Sequence, residues 1–259
     1  MSYESVILDE MNYGGLPFAY WPLDEPDGTA AVDLMARARG TDNSGSYVAE
    51  PTLDQRPGPL AKDRTGWPLF NGSSQYGNVG TLGNLGSALG NGLTIEAWLR
   101  TSSSAIQSVL GVLEVGNAIV IGLTINRDED GDNVAGKVQA YLRGRSSKML
   151  IGATSSATAV HDGSTHHIVA ALNSATNAVA IYLDSATLAV SYRSQDTPAS
   201  FGDLTGAAYV GARNLRGVAD FFFSGNLGRV AVYNYILAAG RVAAHYLAGK
   251  HGTCDWRTE

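Results

Sequence analysis

The stretch 163–184 constrains the fold more than any other part of the chain. It runs His166-His-Ile-Val-Ala-Ala-Leu172, then a polar turn from Asn173 to Asn177, then Ala178-Val-Ala-Ile-Tyr-Leu183. Val169, Ala171, Val179 and Ile181 come from alternating, β-friendly runs on either side of that turn. Such a pattern is a β-hairpin. Similar units recur along the chain with no long helical period between them, so the chain reads as an antiparallel all-β domain.

The clearest single strand is 93–100. Leu93, Ile95, Ala97 and Leu99 share one face, and Thr94, Glu96, Trp98 and Arg100 share the other. Further strands are predicted over 17–22, 67–70, 76–79, 109–115, 119–125, 137–143, 188–192, 208–212, 221–223 and 227–235. Pro17 and Pro22 place the first of these at an edge. Gly116-Asn117 marks a tight turn, and Val138, Ala140 and Leu142 point inward. The stretch 24–45 has no clear period. The stretch 47–66 holds Pro51, Pro57 and Pro59 and reads as a long surface loop. Ser2 caps a short helix with Tyr3, Val6 and Ile7 on one face. Ala239, Val242, Ala243 and Tyr246 fall at helical spacing in a closing helix that Gly249 stops. About a dozen strands at this spacing predict a jelly-roll sandwich of two antiparallel sheets. The division expected is a lead-in over 1–15, one domain over 16–249 and a tail over 250–259.

Composition narrows the function. With 31 glycines and only 16% charged residues, the chain suits many turns and close strand packing, not disorder. A net charge of −6 argues against broad binding to a nucleic-acid backbone. No window approaches the roughly 18 apolar residues of a membrane span. The first ten residues lack the basic and apolar regions of a secretory signal, so synthesis and retention in a cytoplasm, or exit inside an assembly, is expected. Cys254 is the sole cysteine and forms no intrachain disulfide.

Several motifs, in order, resemble the laminin-G-like, concanavalin A-like domains. They are Ala19-Tyr-Trp-Pro-Leu-Asp-Glu25, Leu69-Phe-Asn-Gly-Ser-Ser-Gln-Tyr76, Leu93-Thr-Ile-Glu-Ala-Trp98, Asp162-Gly-Ser-Thr-His-His-Ile-Val-Ala170 and Phe223-Ser-Gly-Asn-Leu-Gly-Arg-Val-Ala-Val-Tyr-Asn234. Thr165 stands where the family usually has Trp. The start, Tyr3-Glu-Ser-Val-Ile-Leu-Asp9 followed by Phe18-Ala-Tyr-Trp21, is similar to such domains in tail proteins of phages that infect actinobacteria. The resemblance implies a virion protein without a signal peptide. Its partners would be other virion proteins, a host cell-envelope glycan, or further copies of itself.

Candidate chemistry is sparse. A glycoside hydrolase needs two carboxylates at fixed separation, but Glu96 shares its face with Thr94 and Trp98 and is expected to pair with Arg100 or a neighbouring strand. Adjacent His166 and His167 point to opposite faces and cannot share a metal, so one is expected packed and one exposed. His161 and Asp162 have no nucleophile in a suitable setting. Asp128, Asp130 and Asp132 have the spacing of a calcium loop, although Asn133 and Gln139 stand where that loop wants Gly and Glu. The resemblance implies a second Ca²⁺ possibility at the sandwich rim, with Asp24, Asp33 and Asn226 as oxygens and Gly228 where relatives carry an acid. Arg143 with Arg145, and Arg213 with Arg216, form two basic clusters. Tyr47, Trp67 and Tyr76 are the aromatic candidates for stacking on sugars. The function predicted is a non-enzymatic minor tail protein that presents its loops to host glycan or virion protein. The alternatives are a capsid decoration protein of the same fold and a cell-wall polysaccharide hydrolase or lyase.

Overall fold

The computed structural model describes residues 3–8, 15–61, 65–90, 92–113, 120–146, 148–198 and 201–251. Its first half runs α1 (Tyr3–Leu8), β1 (Ala19–Trp21), β2 (Ala30–Ala31), α2 (Ala36–Arg39), β3 (Gly45–Val48), β4 (Thr52–Gln55), β5 (Trp67–Asn71), β6 (Tyr76–Thr81), α3 (Leu85–Ala88), β7 (Gly92–Arg100) and β8 (Gln107–Leu113). The second half runs β9 (Val120–Arg127), β10 (Asn133–Arg143), β11 (Met149–Thr154), β12 (Thr165–Asn173), β13 (Ala178–Leu183), β14 (Ala186–Leu188), β15 (Val190–Gln195), β16 (Ala207–Val210), β17 (Arg213–Leu215), β18 (Val218–Asp220), β19 (Ser224–Tyr233) and α4 (Ala239–His251).

Two large antiparallel sheets carry the fold. One has the order β14-β13-β12-β7-β19-β5-β4, with β1 also paired to β19. The other has the order β15-β11-β10-β9-β8-β16-β6-β3-β2. The predicted hairpin is β12–β13, with Asn173 opposite Ala178. Between the sheets lies the main core. Leu93, Ile95, Ala97 and Leu99 of β7 meet Ile168, Ala170 and Leu172 of β12 there, and the other sheet adds Ile121, Leu123, Val138, Ala140 and Leu142. Period-two alternation puts these residues on the inner faces, and their removal from water is the main drive to close the sandwich.

The two outer faces differ. On the first sheet, Trp67, Trp98, Val169, Tyr182 and Tyr233 form a second core with Tyr3 and Ile7 of α1 and Val242 of α4. Gly249 of α4 comes so close that a Cβ there would lie 2.2 Å from Trp98 Cζ2. Both faces of β7 are therefore dry: its first eight residues are all buried. Among the described residues the outer face of the second sheet has no such helical cover. Among the described residues the β17–β18 hairpin lies on it, over β8, where a Cβ on Gly111 would meet Arg213 Cα at 2.9 Å. The first sheet is called the covered sheet below, and the second the open sheet.

The predicted architecture of two antiparallel sheets is the one observed. Several details differ. The stretch 47–66 is not simply a loop: it contains the end of β3 and all of β4, an edge strand of the covered sheet. The stretch 24–45 holds β2, α2 and the first residue of β3. Nineteen strands are described, not about a dozen, because the extra ones are mostly pieces of two to four residues, too short to show a period. The strand predicted over 221–223 is displaced to β18, which forms a hairpin with β17. The turn at Gly116-Asn117, the cap Ser2 and the tail residues Cys254 and Trp256 lie outside the described residues.

Candidate functional site

Glu96 is fully buried and is the centre of the second core, paired neither with Arg100 nor with any other guanidinium. Its Oε1 accepts from the Tyr3 hydroxyl at 2.8 Å and lies 2.7 Å from His167 Nε2. Its Oε2 accepts from the Tyr233 hydroxyl at 2.7 Å, and His245 Nδ1 lies 3.0 and 3.1 Å from the two oxygens. Burial pushes this carboxyl up, but His245 and His167 outweigh it and hold Glu96 well below its ordinary value. An ionised carboxylate with four donors, beneath two helices, fastens those helices to β7. Substrate has no route to it.

His166 and His167 do point to opposite faces, but both are buried. His166 sits between Asp184, 2.7 Å from Nδ1, and Asp162, 3.1 Å from Nε2. The exposed histidine expected at this pair is absent because the β13–β14 turn brings Asp184 over it, with Asp184 also accepting from the His167 backbone at 2.9 Å.

The calcium candidates do not fit a cation. Asp33 is buried, and its two oxygens accept from the backbones of Tyr20, Met35 and Asn43 and from Asn43 Nδ2. Asp24 lies 3.5 Å from Arg229 Nη1. Asn226 accepts from Arg100 Nη2 at 2.9 Å and donates to the Pro68 carbonyl. At the β9–β10 tip, Asp128 Oδ1 accepts from the backbones of Asp130, Gly131 and Asp132. The tip carbonyls of Gly131 and Asp130 are taken by Arg127 Nε at 3.2 Å and Arg193 Nη1 at 2.9 Å. Two guanidinium cations thus hold the carbonyls a divalent ion would need, and they repel it. Among the described residues no three His, Cys, Asp or Glu side chains converge on a metal-sized site.

The aromatic candidates divide. Tyr47 is buried between the sheets against Phe70, its hydroxyl bonded to Glu25. Trp67 is fully buried in the second core, with Arg100 stacked 5.6 Å from its ring. Neither is available to a sugar, because each lies beneath other strands or helices. Tyr76 differs. It is half-buried on the outer face of the open sheet, its ring 4.5 Å from Tyr209 and 6.1 Å from Phe222.

The basic candidates also divide. Arg145 is exposed and donates to the Asp203 carbonyl, and Arg216 lies at the exposed tip of the β17–β18 hairpin. Arg143 and Arg213 instead line a groove of about 150 Å³ on the open sheet, together with Arg127, Gln139, Tyr141 and Arg193. Alternation along β10 puts Gln139, Tyr141 and Arg143 on this face, opposite the inward Val138, Ala140 and Leu142. Gly122 makes room for the Tyr141 ring, whose Cζ a Cβ there would meet at 2.2 Å. Arg127, Arg193, Tyr209 and Phe222 were not legible as site residues. Alternation hides Arg127, which shares the parity of the inward Ile121, Leu123 and Ile125 and follows the left-handed Asn126; the outward Gln139, its hydrogen-bond partner, is the one signal nearby.

A larger cleft, about 440 Å³, opens at the sandwich rim between Asn71, Gln75, Arg100, Thr101 and Asn226. Its polar groups serve the fold. Asn71 Oδ1 accepts from the Ser73 and Ser74 backbones, Gln75 Nε2 donates to the Ala49 and Glu50 carbonyls, and Arg100 is spent on Asn226.

Comparisons with known proteins agree with this architecture. A family model described as the concanavalin A-like lectin/glucanases superfamily matches residues 71–243. No protein with a curated description matches the sequence. Among solved structures, the chain is similar to domain 4 of AbnA, a GH43 extracellular arabinanase from Geobacillus stearothermophilus, in complex with arabinotriose. There the TM-score is 0.57 at 14% identity, over 89% of this chain and 98% of that one. It is also similar to the receptor-binding domain of botulinum neurotoxin C/D mosaic serotype, with a TM-score of 0.56 at 8% identity, over 89% of this chain and 50% of that one. A sialidase of Trypanosoma rangeli gives a TM-score of 0.54 at 15% identity, over 89% of this chain and 32% of that one. Identities this low speak to the fold alone. The family model covers well over half the sequence, and the chain belongs to the concanavalin A-like lectin/glucanases superfamily.

Proposed function

We propose that this protein is a non-catalytic glycan-binding component of a phage virion, a minor tail protein that meets the host envelope through its open sheet. The observation that carries the reading is the contrast between the two outer faces. The covered sheet is closed by α1 and α4 over the buried Glu96 cluster, whereas the open sheet presents Tyr76 and Phe222, with the buried Tyr209 packed against Tyr76, on one side of the β17–β18 hairpin and an arginine-lined groove on the other. Aromatic faces and convergent polar groups in a shallow concavity are what a sugar ring requires. The fold family supports a carbohydrate ligand. A carboxylate-pair mechanism finds no support in this geometry: Glu96 is sealed, and Asp220, next to the groove, forms a two-point ion pair with Arg213. The tail assignment rests on the resemblance of 3–9 and 18–21 to actinobacteriophage tail proteins.

Two measurements test the proposal. Cell-envelope oligosaccharides should bind without releasing reducing ends, and Tyr76→Ala should weaken that binding about three- to tenfold, the worth of one aromatic contact. Release of reducing sugar would replace it with the hydrolase reading. Mass spectrometry of particles from a phage that encodes the chain should find it in the virion, and its absence from intact particles would remove the tail assignment.

A further inference from the structure

Arg127, Arg193 and Arg213 come together in an overall acidic protein, and the described residues supply one carboxylate for the three. Arg213 forks onto Asp220, with Nε 2.8 Å from Oδ1 and Nη2 bonded to Oδ2. Arg127 donates to the Gly131 carbonyl and to Gln139 Oε1, and Arg193 to the Asp130 carbonyl, all neutral acceptors. Among the described residues neither Arg127 nor Arg193 has a carboxylate at ion-pair distance. Phe221 holds two of the three in place: the Arg213 guanidinium lies 3.9 Å from its ring centre and the Arg127 guanidinium 5.2 Å. Burial, and then the like charges of Arg213 and Arg193 against the help of Tyr141 and Asp220, push the Arg127 guanidinium down from its ordinary value. Three like charges held together with one carboxylate leave a positive surplus that an incoming anion relieves.

The rest of the lining has different chemistry. Val120, Met149 and Ile151 also line the groove, with Arg143 standing between Val120 and Met149 in the sheet register. The Tyr141 hydroxyl, buried at the floor, makes no hydrogen bond of normal geometry among the described residues. The volume of about 150 Å³ is about five waters' worth of space, enough for one sugar ring and not for an extended chain. A groove that combines apolar side chains, four arginines and a hydroxyl at its floor matches a ring that has a C–H face and an anionic substituent.

We propose that the groove binds the acidic residue of an anionic glycan, with a sugar carboxylate on Arg127 and Arg193 and the ring against Val120, Met149 and Ile151. This rests on the glycan-binding reading above and specifies its ligand class. Arginine is suited to the task because its planar fork meets a carboxylate at two points.

Titration calorimetry of the full chain with trigalacturonate, and with its carboxyl-reduced galactose counterpart, tests the proposal. Trigalacturonate should bind at least tenfold more tightly than the neutral sugar, and the preference should shrink as salt is raised. Arg193→Gln, at an exposed position, should abolish at least fivefold of that preference. Arg145→Gln, equally exposed but outside the groove, should leave it unchanged. Equal binding of acidic and neutral sugars, or an equal effect of both arginine variants, would overturn the inference and leave the glycan-binding reading standing. Inorganic phosphate competing as strongly as trigalacturonate would reduce the groove to a simple oxyanion site. No binding of any oligosaccharide in the panel would remove both readings.

Discussion

Tyr3 and Glu96 stand 93 positions apart, yet the Tyr3 hydroxyl donates a 2.8 Å bond to a carboxylate with no exposure to solvent. The bond joins α1 to the central strand of the covered sheet. It also makes the acidic residue of the Leu93-Thr-Ile-Glu-Ala-Trp98 motif a fastening point for both helices, since Tyr233, His167 and His245 complete the shell.

Removing either end of that bond should cost stability and leave ligand binding intact. Tyr3→Phe is expected to lower the unfolding free energy by about 1.5–3 kcal/mol, the worth of a hydrogen bond to a charged group. Glu96→Ala should cost about 3–5 kcal/mol, because it leaves histidines and hydroxyls buried without their acceptor. In urea titrations the double variant should lose less than the sum of the two, since each change removes the same bond.

The corner at His166 predicts a dependence on pH. Its bond to Asp184, against the opposing effect of burial and with help from Asp162, raises its pKa above the ordinary 6.5. A raised folded value means that this contribution is complete below pH 6.5 and fades as pH rises through the elevated value. Asp162 is lowered by the Ser164 backbone N–H and then by His166. Asp184 is lowered because His166 and the His167 backbone outweigh burial. Their contributions are complete above the ordinary 3.8 and fade as pH falls through the lowered values. Urea midpoints measured across the acid-to-neutral range should fall on the alkaline side, and His166→Gln should flatten that fall.

Gly249→Ala pits two effects against each other. In a free helix the change gains about 1 kcal/mol. Here the new Cβ would lie 2.2 Å from Trp98 Cζ2, with two more ring atoms within 3.0 Å. Overpacking of this kind costs about 1–3 kcal/mol. The melting temperature should therefore fall, with the near-ultraviolet signal of the stacked Trp98 and Tyr246 rings weakened.

Calcium should not matter to this fold. With Asp33 saturated by four donors and the β9–β10 tip held by two guanidinium groups, millimolar CaCl₂ or EDTA should leave the melting temperature unchanged. An upward shift of several degrees with CaCl₂ would place a bound cation on the folded state.

The sandwich was legible because its central strands alternate cleanly. Leu93, Ile95, Ala97 and Leu99 fall on one face by spacing alone, and the β12–β13 turn is written in Asn173 to Asn177. The site was much less legible. Tyr47 looks like a loop aromatic in a linear reading and Trp67 like one exposed at the start of its strand, but both side chains are buried by partners far away in sequence. Arg143 and Arg213 were readable as cations. Their meeting with Arg127 and Arg193 depends on the strand order β15-β11-β10-β9-β8 and on a hairpin laid across it, and neither is encoded in any local period.

The first and last helices of the described chain, α1 and α4, lie side by side on the same sheet. A partner that docks on these two helices therefore sits on the far side of the sandwich from the arginine groove, and the two surfaces can be occupied at once.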